Sequence, residues 1–150
     1  MKFYEEKAKG LDEFYEAVQK FQTAVGHPNG SFLQFLTGNE LKRRVDWTAD
    51  EVREFAEAKN IENQAQELGD IIWFAIGSLV CMGVKPSDVL GPIIRANLSK
   101  IDDTGHVQYR PTDGKVMKPE GWKSPIEGIR KNIEKAYGID LNRDMVKCSG

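Results

Sequence analysis

Cysteine is scarce in this chain of 150 residues: Cys81 lies inside an apolar run and Cys148 near the end, too few for a disulfide framework or a zinc site. That usage fits a reducing, cytoplasmic setting. Histidine is equally rare, with only His27 and His106. Charge of one sign is missing as well, because 21 Lys and Arg against 23 Asp and Glu leave a formal net charge of −2. A broad cationic field of the kind that duplex DNA or an anionic membrane selects is therefore excluded, and neither is expected as a partner. Any anionic partner must be met locally. The longest apolar run, Ile71 to Val84, is shorter than the roughly 20 residues a bilayer-spanning helix needs. The start, Met1-Lys2-Phe3-Tyr4-Glu5-Glu6, is acidic and has no apolar core, so no secretory signal is expected. Internal repeats and low-complexity stretches are missing too. What is present is enough for order: 40% hydrophobic and 29% charged residues, in one domain's length of chain.

The apolar residues recur with helical spacing. Leu11, Phe14, Val18, Phe21 and Val25 predict one amphipathic helix, stopped by Gly26-His27-Pro28-Asn29-Gly30. Leu41, Val45, Thr48, Val52 and Phe55 predict a second, from about Asn39 to Lys59, with that set as its core face. From Glu62 the chain becomes apolar all round, through Ile71-Ile72-Trp73-Phe74-Ala75-Ile76 and Leu79-Val80-Cys81-Met82, which predicts a central buried helix ended by Gly83. Lys85-Pro86-Ser87-Asp88 then supplies a break and an N-cap for a fourth helix, with Leu90, Ile94, Leu98 and Ile101 inward and Pro92 bending it.

Beyond Ile101 the pattern changes. Val107, Tyr109 and Val116 flank Asp113-Gly114, the strongest short hairpin signal in the chain. Ser124-Pro125-Ile126-Glu127 reads as a capping box opening a short helix through Ile129, Ile133 and Ala136 to Gly138, and the last dozen residues read as a loosely held tail. The expected fold is all-α: four main helices in a bundle, then a short β-hairpin and an extra short helix. We read 1–150 as one domain, with a core over about 11–102 and the hairpin and tail over 103–150.

Two acid pairs stand out on these helices. Glu51 and Glu54 are three residues apart, as are Glu67 and Asp70, so each pair shares a helix face. In a helix hairpin turning near Asn60 and Ile61, residues equidistant from the turn meet, which sets Glu54 opposite Glu67 and Glu51 opposite Asp70. Asp70 directly precedes the most apolar stretch, where an ionised carboxylate is costly unless a cation compensates it. A divalent ion would compensate several at once. All four ligands would be hard oxygens, which selects Mg²⁺ or Mn²⁺ over zinc or copper, and Mg²⁺ commonly completes its shell with substrate phosphates. Such pairs also occur on solvated faces, and spacing leaves both readings open. A di-iron site is excluded, since neither histidine lies in a Glu-x-x-His.

The run Asp50-Glu51-Val52-Arg53-Glu54, followed after twelve residues by Glu67-Leu68-Gly69-Asp70, resembles the E-E-x-x-E … E-x-x-D signature of the all-α nucleoside triphosphate pyrophosphohydrolases. These include the MazG proteins, the phosphoribosyl-ATP pyrophosphohydrolases and the all-α dUTPases. Arg95-Ala96-Asn97-Leu98-Ser99-Lys100 is similar to the family's R-A-N-M-S-K segment. Asp113-Gly114-Lys115-Val116-Met117-Lys118-Pro119 and Gly121-Trp122 resemble the tail of its phosphoribosyl-ATP-pyrophosphohydrolase-like members, and the likeness covers roughly residues 11 to 125. The resemblance implies a MazG-like bundle in which Glu51, Glu54, Glu67 and Asp70 are catalytic and bind Mg²⁺, with Mn²⁺ as a substitute. It implies cleavage of a nucleoside triphosphate between its α and β phosphates, in the service of clearing unwanted nucleotides. Asn97, Lys100 and Arg95 would contact substrate, although for the two cations a place near a helix C-terminus is explanation enough. Asp50 stands where the family usually has Glu.

Trp47 lies one turn from Glu51 on a stripe with Arg44, Glu54 and Ala58, where it either stacks on a base or packs at the core boundary. Trp122 and Tyr109 would form a lid or pack the hairpin onto the bundle. The resemblance also implies a homo-oligomer, a dimer or tetramer. Trp73 and Phe74 would serve that interface, or, more simply, the core of one chain. Two other functions fit the same residues. One is phosphoribosyl-ATP hydrolysis in histidine biosynthesis, against which the added hairpin and tail argue; the other is a helical module that binds nucleotide or a partner without turnover, for which Asp50 argues.

Overall fold

The computed structural model describes residues 10–143; the acidic N-terminal stretch, the last seven residues of the tail and Cys148 lie outside them. The described residues form two compact units, 10–86 and 87–143. They contain five helices and no strand.

In the first unit, α1 (Leu11–Ala24), α2 (Gly38–Glu57) and α3 (Ile61–Met82) form the bundle, with α3 packed against both of the others. Tyr15, Val18, Ile76 and Val80 make the buried centre, and Phe14, Trp73 and Leu79 pack onto it. Trp73 sits between Phe14 and Phe21, with ring centroids 5.8 and 5.5 Å away. Phe74 meets Trp47 at 5.9 Å. Trp73 thus packs onto the core of its own chain, and Phe74 onto Trp47. The helix stops are local: Asn60 Oδ1 accepts the Asn63 N–H at 2.8 Å to start α3, and Gly83 in the left-handed region ends it. The loop before α2 caps the other end of α3, where the Gln34 backbone N–H donates to Met82 O at 3.0 Å and its amide to Cys81 O at 2.7 Å. Within that loop Gly30 has a positive φ and lies so close to α3 that a Cβ would stand 2.9 Å from Val80 O.

By length and composition alone α3 is apolar enough to cross a membrane, but Glu62, Glu67 and Asp70 occupy its first half and α1 and α2 lie against it. Two predicted core faces are buried only in part. On α1 the inward face is Tyr15, Val18 and Gln22, while Leu11, Phe21 and Val25 stay substantially exposed. On α2, Leu41, Val45 and Val52 are exposed and line an open apolar groove of about 650 Å³ with Leu36, Thr48 and Ala49. The buried residue of α2 is Arg44. Its guanidinium donates to Gln22 Oε1 at 2.9 Å and to Glu40 Oε1 at 3.3 Å, a polar contact inside the bundle that an apolar period does not register.

In the second unit, α4 (Pro86–Leu98) opens on Pro86 itself rather than after a Ser87-Asp88 cap. A proline suits a first helical turn, whose N–H groups have no partner within the helix. Pro92 lies inside the helix, and the expected inward residues Ile94, Leu98 and Ile101 are largely exposed. The expected hairpin is not a pair of strands. Asp113-Gly114 does turn the chain, but the ladder is one isolated antiparallel bridge, Tyr109 to Val116, flanked by two backbone bonds of 2.7 Å. With no sheet alongside, two short extended segments have too little packing to become strands. Tyr109 is exposed, whereas Trp122 is half-buried and its indole N–H donates to Ala96 O at 2.7 Å. The last helix, α5 (Ile126–Tyr137), begins after Pro125 and ends on Gly138, and its Asn132 amide donates to Asp88 O at 2.9 Å. Residues 139–143 are tied back to it: the Leu141 N–H donates to Glu134 Oε1 and the Arg130 guanidinium to Asn142 Oδ1.

Candidate metal centre

The turn between α2 and α3 is only three residues, Ala58 to Asn60, so the two helices run back along each other and their acids meet. Glu51, Glu54 and Glu67 each direct a carboxylate oxygen to one place, all within 4.8 Å of one another. Glu51 and Glu67 share a hydrogen bond, which sets Glu67 against Glu51 as well as Glu54. Asp70 lies outside that trio, yet near enough for its charge to be felt by Glu51.

The electrostatics are those of a crowded, partly dried patch. Burial, then the hydrogen bond to Glu67, then repulsion from Glu54, Asp70 and Glu67 raise the Glu51 carboxyl above its ordinary value. Glu67 Oε2 is buried and accepts no hydrogen bond from any described residue. A buried carboxylate oxygen without a donor is a cost, and convergence with two further carboxylates increases it. A divalent cation offsets both, and the donor set, all hard oxygens, fits Mg²⁺ or Mn²⁺. Asp50 is otherwise engaged, its exposed carboxylate paired with Arg53 one turn on.

Trp47 is packed on several sides: the His27 ring stacks at 5.7 Å, the Phe74 ring lies at 5.9 Å and the Arg44 guanidinium at 5.3 Å from its centroid. That makes it a wall one turn from Glu51 more than an open stacking platform. His27 was not legible as its neighbour, because twenty residues and a loop separate them. Asn97, Lys100 and Arg95 belong to the second unit. There Lys100 Nζ donates to Asn97 Oδ1 at 2.7 Å, and the Asn97 amide donates to Ile93 O at 3.1 Å. Arg95 extends along α5, where a Cβ on Gly128 would lie 3.4 Å from its Nη2.

The sequence profile of the phosphoribosyl-ATP pyrophosphohydrolases matches residues 11–97, a stretch that contains both acidic motifs. This chain belongs to that family. It is thereby a MazG-like, all-α member of the nucleoside triphosphate pyrophosphohydrolase superfamily. Among solved structures it is similar to a protein from Exiguobacterium sp. 255-15 provisionally described as an NTP pyrophosphohydrolase, with 20% identity, a TM-score of 0.47, and coverage of 86% of this chain and 98% of that one. No curated protein matches the chain.

Proposed function

We propose that this family member is a Mg²⁺-dependent nucleotide pyrophosphohydrolase, cleaving a nucleoside triphosphate between its α and β phosphates to a monophosphate and pyrophosphate. The observation that carries this reading is the convergence of three carboxylates on one point with a buried, unpartnered Glu67 oxygen among them. Glu51, Glu54 and Glu67, with Asp70 beside them, would hold Mg²⁺, or Mn²⁺ in its place. Bound there, the ion lowers the pKa of a coordinated water and neutralises charge on the phosphates. The carboxylates would fix that ion, and with it the water that attacks the phosphate. Asn97, Lys100 and Arg95 would hold phosphate oxygens by charge-assisted hydrogen bonds. The role is the clearing of unwanted nucleotides in the cytoplasm, where such substrates are found.

The family's own name favours a second substrate, phosphoribosyl-ATP, on the same carboxylates. Incubation with Mg²⁺ and a panel of ribo- and deoxyribonucleoside triphosphates and phosphoribosyl-ATP separates the readings. Monophosphate plus pyrophosphate from the triphosphates is expected. Diphosphate plus orthophosphate refutes the proposal, turnover of phosphoribosyl-ATP alone assigns the second substrate, and Mg²⁺-dependent binding without turnover identifies a non-catalytic module.

We further propose that the chain works as a homo-oligomer whose contact is the exposed α2 face of Leu41, Val45 and Val52. A two-fold pairing would bring that stripe onto its own copy and bury it. Sedimentation should show a dimer or tetramer that Val45→Glu dissociates. A monomeric wild type rules the contact out.

A further inference from the structure

In the second unit Trp122 is anchored to the end of α4, its indole N–H satisfying Ala96 O, one of the last-turn carbonyls without a partner inside the helix. Two ammonium groups approach that fixed ring: Lys118 Nζ at 4.5 Å and Lys100 Nζ at 5.6 Å from the centroid. They lie no further apart than the sum of those distances, which is about the Debye length at 0.1 M salt. Like charges so placed repel. One indole attracts each exposed ammonium by only about 0.5–1 kcal/mol.

Neither charge is neutralised within the fold. Lys100 donates to the neutral Asn97 amide oxygen, and among the described residues no carboxylate lies within ion-pair distance of either lysine. Two acids in the neighbouring turns are occupied. Asp113 pairs with Arg110, and Asp102 accepts hydrogen bonds from Thr104 and the His106 backbone. Beside Lys100 lies a small pocket of about 170 Å³, lined by Asp102, His106, Gln108, Met117 and Pro119 among others, which suits a small ligand and not a polymer. Two cations on one rigid ring, with donors to spare, match an anion that carries several charged oxygens on adjacent atoms.

We propose that Lys118 and Lys100, gathered over Trp122, bind the adjacent phosphates of a polyphosphate. Metal-free protein at low salt is titrated with sodium tripolyphosphate and, in parallel, pyrophosphate, while indole emission is followed. Trp122→Phe assigns the signal among the three tryptophans. A saturable change is expected that Trp122→Phe removes and Lys118→Gln weakens about tenfold, the loss of one charge-assisted hydrogen bond. Lys118→Arg should stay within about threefold of wild type, since it keeps the charge. Tighter tripolyphosphate shows that the pair spans three linked phosphates, and tighter pyrophosphate that it holds two.

The proposal is overturned by the absence of a saturable change in wild type, or by Lys118→Gln binding tripolyphosphate as tightly as wild type. A protein that binds tripolyphosphate through Lys118 yet hydrolyses no nucleotide overturns the hydrolytic reading and keeps the anion site.

Discussion

Glu54→Gln and Asp70→Asn are each expected to abolish measurable turnover, a loss of at least about 10²–10³-fold in kcat, while the folded state survives or gains stability. The two effects have one cause. In the metal-free protein the carboxylates of Glu51, Glu54 and Glu67 crowd one point and Asp70 adds its charge to Glu51, so neutralising one of them relieves repulsion. With the ion bound, the same neutral amide is a poorer ligand. The linkage to pH follows from Glu51, whose carboxyl lies above its ordinary value of 4.5 in the fold. The folded state then holds the proton more tightly than the unfolded chain. In the metal-free protein the Glu51 contribution to stability is therefore fully present below the unfolded value and is lost as pH rises through the folded one. Mg²⁺ should raise Tm more at pH 7 than at pH 5, and Glu54→Gln should flatten the metal-free slope. Thermal melts in EDTA and in Mg²⁺, beside steady-state kinetics at limiting Mg²⁺, check both. Near-normal activity of either variant at limiting Mg²⁺ refutes the metal assignment.

The convergence of Glu51, Glu54 and Glu67 was legible because its geometry is local. Two acid pairs at helical spacing, on either side of a short turn, must meet whatever the rest of the chain does. The detail was not legible: equal distance from the turn sets Glu51 opposite Asp70, whereas the structure joins Glu51 to Glu67 and leaves Asp70 outside the trio. Counting from a turn treats helices as parallel ladders and omits their rotation about their own axes. The ends of α3 and α5 were legible for the same local reason, through Gly83 and Gly138 as stops, whereas α4 ends at Leu98, three residues before the expected Ile101. Val45 and Val52 mark a different limit, for an apolar period identifies a face that must be covered and says nothing about whether the cover is this chain or another. The Asp113-Gly114 turn formed and its strands did not, because a turn is a property of four residues and a ladder needs a neighbour.

Arg44→Ala is expected to lower stability by about 3–5 kcal/mol, and Tm by about 10 °C or more, because it removes one partner from a buried polar set and leaves the others unpaired. Arg44 is only 5% exposed, and Gln22, which it meets, is 2% exposed. The Gln22 amide is fixed in turn, donating to Pro28 O at 2.6 Å. The crossing of α2 and α3 is shaped to admit the guanidinium: a Cβ on Gly77 would stand 2.7 Å from both Arg44 Nη1 and Gln22 Oε1. Arg44→Lys should not restore stability, since a single ammonium cannot bond to Gln22 and Glu40 in the directions of the fork. Function should fall with it. Glu51 lies seven residues, about two turns, beyond Arg44 on the same helix, so the contact that fixes the rotation of α2 also aims Glu51 and Glu54 at Glu67. The sign of the stability change then separates two kinds of inactive variant: Glu54→Gln loses turnover at constant or higher Tm, and Arg44→Ala loses both together. An Arg44→Ala protein that melts within about 2 °C of wild type would show that apolar packing alone sets the helix register, and that the polar crossing merely occupies it.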